Sequence, residues 1–173
     1  SKSDQMVGKL FSISVNIPSF LKKFPDAKLL YMIRDPLSVI PSGLSLVTGV
    51  LDSMVGFWSF PEEKRQHFIR RLYRALVELQ IRFHDDWVNG RIDKSKVAIV
   101  QFDRMMTDFD GLMDEILPFI EHTPSEDFLN DIKLTAKKQR EYQSKHKYDL
   151  SKFGITEQQI KNDCAVIYST FLS

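Results

Sequence analysis

Two short apolar runs, residues 28–33 and Val97-Ala98-Ile99-Val100-Gln101-Phe102, stand between longer stretches whose apolar positions recur at helical spacing. Near-continuous apolar runs of this length predict strands covered on both faces of a parallel sheet. The pair Pro25-Asp26 punctuates the chain before the first run. Two such strands joined by long helical stretches predict a parallel α/β arrangement rather than a hairpin. The longest regular pattern covers Glu62–Val88. There Phe68, Ile69, Leu72, Tyr73, Leu76, Leu79, Gln80, Phe83 and Trp87 fall on one broad stripe. Arg70, Arg71, Arg74 and Glu78 fall off it or on its edge, the pattern of a solvated face. Asn89-Gly90 suits the left-handed cap that ends such a helix.

The remaining elements follow from their boundary residues. A helix is predicted over residues 16–23, with Pro18 in its first turn, and another from Pro36, capped by Asp35. Pro41 removes a backbone donor from that second helix and should bend or interrupt it. Residues 46–60 are apolar but broken by Gly49 and Gly56, and end in Phe57-Trp58-Ser59-Phe60-Pro61. They read either as an ordered loop or short helices walling a pocket, or as a plain core segment. After the second strand, Asp103 to Met106 lead to a helix over residues 110–121. Thr123-Pro124-Ser125-Glu126 is a capping box with proline at the first helical position, and Thr156-x-x-Gln159 is a second one. The latter opens a final helix with Ile160, Cys164, Ile167, Tyr168 and Phe171 as its buried stripe.

At 173 residues the chain is long enough for one domain with a real core. A net charge of +1 supplies no global field to draw in nucleic acid, so any anion site has to be local. The single cysteine, Cys164, excludes an internal disulfide and leans toward a reducing compartment, hence a cytoplasmic location. No uninterrupted apolar run approaches a membrane span, and no signal peptide opens the chain. His67 and His84 read as surface or boundary residues, and nothing else has metal-ligand spacing. Gly8-Lys9 lacks the upstream glycine of a Walker loop.

Candidate chemistry concentrates where the first strand meets its helix. Arg34 sits at the carboxyl end of that strand, beside the positive end of the helix begun by Asp35-Pro36. In open α/β sheets this crevice is where ligands bind. On the helix, Ser38 and Ser42 lie four apart on one face, with Ser45 three further on. An arginine and hydroxyls converging near a helix start make a phosphate site. The competing reading pairs Arg34 with a nearby carboxylate and leaves Ser42 facing solvent.

The same stretch resembles the 3′-phosphate-binding segment of sulfotransferases that use 3′-phosphoadenosine 5′-phosphosulfate (PAPS). Phe24, Pro25, Ala27, Lys28, Arg34, Asp35, Pro36 and Ser42 match that family's string in order and spacing. The resemblance implies that Arg34 and Ser42 bind the nucleotide 3′-phosphate. Three further stretches resemble the family less closely. The second strand with Asp103 is similar to one ending in Tyr-Glu-Asp-Leu, whose tyrosine lies against adenine. Phe102 stands at that position, keeping the ring and losing the hydroxyl, while Arg104 departs from the usual acidic residue; a buried strand-end phenylalanine is the other reading. Lys145-His146-Lys147-Tyr148-Asp149-Leu150, followed by Phe153-Gly154-Ile155, resembles the family's late basic loop. It implies that Lys145 and His146 reach a phosphate, against the alternative of a merely solvated basic run. Lys2-Ser3-Asp4 is similar to an upstream Lys-Ser/Thr-x segment, which makes Lys2 the cation near the sulfuryl group and Asp4 the general base.

The resemblance covers roughly residues 1–171 and implies a three-layer, P-loop-like α/β fold around a short parallel sheet. The family's opening βα unit, with the loop that cradles the 5′-phosphosulfate, is matched nowhere. The expectation is therefore a single domain over residues 1–173 that is N-terminally truncated, or completed by another chain. Alone it should bind nucleotide weakly and transfer sulfate poorly or not at all. The implied reaction moves a sulfuryl group from PAPS to a hydroxyl or amine on a small-molecule or glycan acceptor. It leaves 3′-phosphoadenosine 5′-phosphate and needs no metal. A small kinase-like nucleotide enzyme and a non-catalytic scaffold of the same fold are the rivals. The dimer signature of cytosolic sulfotransferases is missing, which leaves a homodimer open.

Overall fold

The computed structural model describes residues 6–142 and 149–173. Helices α1 (Ile17–Lys23), α2 (Pro36–Val55), α3 (Glu62–Val88), α4 (Phe102–Thr107), α5 (Phe109–Phe119), α6 (Glu126–Glu141), α7 (Glu157–Asp163) and α8 (Ala165–Phe171) surround strands β1 (Leu29–Ile33) and β2 (Val97–Gln101). The strands pair in parallel, with Leu29 opposite Val97 and Ile33 opposite Gln101. The described chain is thus mostly helical, an α/β arrangement with a two-stranded parallel sheet.

Helices lie on both faces of the sheet. Leu29, Tyr31 and Ile33 alternate onto one face with Val97 and Ile99, and join a core shared with Ile69, Tyr73, Phe83, Ile167 and Phe171. Tyr31 stacks on Phe83 of α3 with ring centroids 3.4 Å apart and planes 7° from parallel. Burial pushes the Tyr31 hydroxyl up to about 12. Val100 points the other way, into a second cluster with Leu112 and Ile116 of α5. The expectation that both strands are covered on both faces is corrected for β1. Leu30 and Met32 remain 42% and 47% exposed, because α5 packs over β2 and stops short of β1.

Helix α2 corrects two further expectations. Pro41 does not interrupt it, and it continues through Gly49 to a left-handed Gly56 (φ 64°), where a loop or short helices were one of the two readings. Proline here deprives one carbonyl, that of Leu37, of its helical donor. Tertiary packing outweighs that loss: Ile40, Pro41, Leu44 and Thr48 are buried, and each large apolar side chain so placed contributes roughly 1.5–3 kcal/mol. Gly43 allows the close approach to α3, since a Cβ there would lie 2.9 Å from both terminal methyl carbons of Leu76. On length and composition alone α2 is long and apolar enough to cross a membrane, contrary to the sequence-based expectation that no segment approaches that length. The same helix supplies Ile40 and Leu44 to the core.

The amphipathic reading of α3 holds across its predicted span, with Arg70, Arg71, Arg74 and Glu78 exposed and Gly90 in the left-handed region (φ 67°). Helix α6 begins two residues later than its proline suggested: Ser125 caps it, its hydroxyl accepting from the Phe128 N–H. Thr156 caps α7 as predicted, accepting from the Gln159 N–H. The final helix is divided at buried Cys164 into α7 and α8.

Candidate anion site at the strand ends

The parallel register dictates the geometry of the corner. Since Ile33 lies opposite Gln101, the next residues, Arg34 and Phe102, emerge side by side at the carboxyl edge of the sheet. The Arg34 guanidinium carbon sits 4.1 Å from the centroid of the Phe102 ring, a cation–π contact between two residues singled out separately from the sequence. Among the described residues, Arg34 makes no ion pair and no side-chain hydrogen bond. Among those residues, the alternative in which it pairs with a nearby carboxylate is not realised.

Asp35 explains why. Its φ of −46° and ψ of 121° place it outside the helix, and one carboxylate oxygen accepts from the Leu37 N–H at 2.8 Å. The same oxygen accepts from the Tyr168 hydroxyl of α8 at 2.6 Å. Ser38 and Val39 direct their N–H groups to the Asp35 carbonyl, and Pro36 has none. The first-turn donors of α2 are thus already satisfied, and an anion at this corner has to be met by side chains. Ser38 and Ser42 are half-buried on α2, and neither hydroxyl has a partner among the described residues. Burial, and then the hydrogen bond to Asp35, push the Tyr168 hydroxyl far above its ordinary value, which keeps it a donor at physiological pH.

Neighbouring residues of the matched string have structural work. The Lys28 ammonium donates to the Phe119 carbonyl and to the Glu121 carboxylate, each at 2.6 Å. It also lies 5.5 Å from the Phe119 ring centroid. Lys28 thereby ties β1 to the end of α5, where Glu121 adopts a positive φ of 57°. Arg104, the departure from the family pattern, forms a two-pronged pair with Glu115 at 2.6 and 2.8 Å and reaches Asp108 at 3.3 Å. These contacts hold Glu115 below the usual carboxylate range.

Of the described candidates, Arg34 and Phe102 meet just past the ends of β1 and β2, while Ser38 and Ser42 lie in the first two turns of α2. Lys2, Asp4, Lys145 and His146 lie outside the described residues. Sequence reasoning missed Tyr168, counted only as part of a buried stripe, and Gln101, whose side-chain amide donates to the Phe171 carbonyl at 2.7 Å. A tyrosine on a buried stripe needs a partner for its hydroxyl, and that was the available signal. An open hollow of about 410 Å³ lies elsewhere, along α3 and the end of α7. Its Tyr73 and Asp163 satisfy each other at 2.6 Å, and its remaining polar groups, Arg74 and Glu78, lie on the exposed face of α3.

A family model described as the sulfotransferase family matches residues 1–127. No curated protein and no solved structure matches the chain. The match spans well over half of the 173 residues and takes in Arg34, Ser38, Ser42 and Phe102, and by it this chain belongs to the sulfotransferase family.

Proposed function

We propose that the Arg34 corner binds the 3′-phosphate of PAPS, and that the protein transfers the sulfuryl group to a hydroxyl or amine acceptor. One observation carries the reading: a half-buried guanidinium at the carboxyl edge of a parallel sheet, braced on an aromatic ring and without a carboxylate partner among the described residues. A phosphate monoester dianion is the ligand that such a group, with two open hydroxyls on the adjoining helix, is equipped to meet. When bound, PAPS supplies the activated sulfuryl group. The chain's own contribution at this corner is to fix the nucleotide through Arg34, Ser38 and Ser42, which serves positioning for in-line transfer.

Phe102 takes a modified part in this reading. One side of its ring faces the guanidinium, so adenine can use only the other side or the edge. Its first role is to hold Arg34 in place. Lys2 as the cation beside the sulfuryl group, Asp4 as the general base, and Lys145 and His146 as phosphate contacts complete the proposal on family resemblance alone.

Calorimetry tests it. Adenosine 3′,5′-bisphosphate should bind in preference to ATP with Mg²⁺, and Arg34→Ala should remove that preference. Equal binding of the two nucleotides, or an Arg34→Ala protein that keeps the preference, overturns the reading.

A further inference from the structure

Arg34 and Asp35 are sequence neighbours of opposite charge, and they form no ion pair with each other. Asp35 instead spends one oxygen on two donors. The Leu37 N–H comes from the start of α2, and the Tyr168 hydroxyl arrives from α8, 133 residues along the chain. A hydroxyl donating to a carboxylate gives a charge-assisted bond, shorter and about twice as strong as a neutral one. At 2.6 Å this contact is of that type. Tyr168 is itself half-buried, its helix packed on α3 and joined to the end of β2 through Gln101 and the Phe171 carbonyl. The hydroxyl is therefore presented to Asp35 from a fixed base. It lies beyond the segment matched by the sulfotransferase family, which ends at residue 127.

We infer that Tyr168 is a positioning residue of the anion corner: its hydroxyl holds Asp35 on the start of α2, which leaves the Arg34 guanidinium free of its neighbour's charge and lying on Phe102. The inference rests on the proposed role of Arg34 for its functional consequence, though the contact geometry is independent of that role. Without the phenol, Asp35 keeps one donor and gains freedom to turn toward the nearest cation in sequence. A guanidinium captured in this way is lost to a phosphate.

Two readouts on the full chain separate this from a merely structural part for Tyr168. In calorimetry with adenosine 3′,5′-bisphosphate, Tyr168→Phe should weaken binding about tenfold. Adding Asp35→Asn should bring affinity back to within about threefold of the parent protein. Asparagine still caps a helix but has no charge with which to hold Arg34. Without ligand, the ¹⁵N–¹H resonance of the Arg34 side-chain Nε, assigned by its loss in Arg34→Lys, should shift in Tyr168→Phe and return in the double variant. Parental affinity in Tyr168→Phe, or a double variant as weak as the single one, overturns the inference. If the parent protein fails to bind the bisphosphate, the proposed function falls. The ligand-free resonance then still decides the Tyr168 role: a shift that reverses in the double variant upholds it, and an unmoved resonance refutes it.

Discussion

Two arginines stand close to the ends of the two strands, and the protein treats them in opposite ways. Arg104, in the first turn of α4, is gripped by Glu115 and Asp108. Arg34, one residue past β1, has an acidic neighbour in sequence and no acidic partner among the described residues. The difference lies in what surrounds the competing carboxylates. Glu115 and Asp108 are exposed and have no stronger donor to satisfy, so they reach the nearest guanidinium. Asp35 is already committed to a helix N–H and a phenol. On the proposed function, the cation that has no acidic partner among the described residues is the one that meets the nucleotide, whereas the paired one belongs to the scaffold.

Substitution of the two arginines breaks this contrast most directly. Arg34→Ala should lower affinity for adenosine 3′,5′-bisphosphate about a hundredfold or more, as expected for losing a charged bidentate donor. Arg104→Ala should leave affinity within about twofold and lower the melting temperature slightly. Calorimetry and thermal melts on the same preparations decide it, and equal binding losses in both variants would erase the distinction. Next in size is the platform under Arg34. Phe102→Ala should cost about tenfold in affinity, and Phe102→Tyr should preserve it, because the contact depends on the ring face.

A third variant asks whether the corner depends on the seating of α2. Gly43→Val forces bulk against the Leu76 methyl groups and should destabilise the fold by about 1–3 kcal/mol in urea titration. Gly43→Ala should cost less, since the end of one leucine side chain can give way. The smallest effect is on pH dependence. Arg104 depresses the Glu115 pKa, so the stability this pair contributes is complete above the ordinary glutamate value, near pH 4.3. It is lost as pH falls through the lower folded value. Glu115→Gln should flatten that acid limb of a stability–pH profile, and Arg34→Ala should leave it in place.

What could be read from the chain follows the range of the interactions. The 27-residue α3 was legible because its stripe repeats over many turns, and the Thr156 cap because both partners lie within one turn. The length of α2 was not. Pro41 and Gly49 both argue locally against a helix, and only the burial of Ile40, Leu44 and Thr48 overrides them. The β1 strand was legible, its open face was not, because coverage depends on where α5 lands. Arg34 and Phe102 were each visible as candidates. Their contact required the strand register, and the Tyr168–Asp35 bond joins positions too distant for any local pattern to connect.

That long-range bond has a practical consequence for anyone trimming the protein. A fragment cut at the end of the homologous stretch, residue 127, would retain the arginine and its aromatic rest but discard the phenol. It would also strip Phe171 from Phe83 and Trp87, uncovering the rings that back the sheet. The boundary that sequence kinship draws is therefore shorter than the smallest piece expected to fold and keep its binding corner in order.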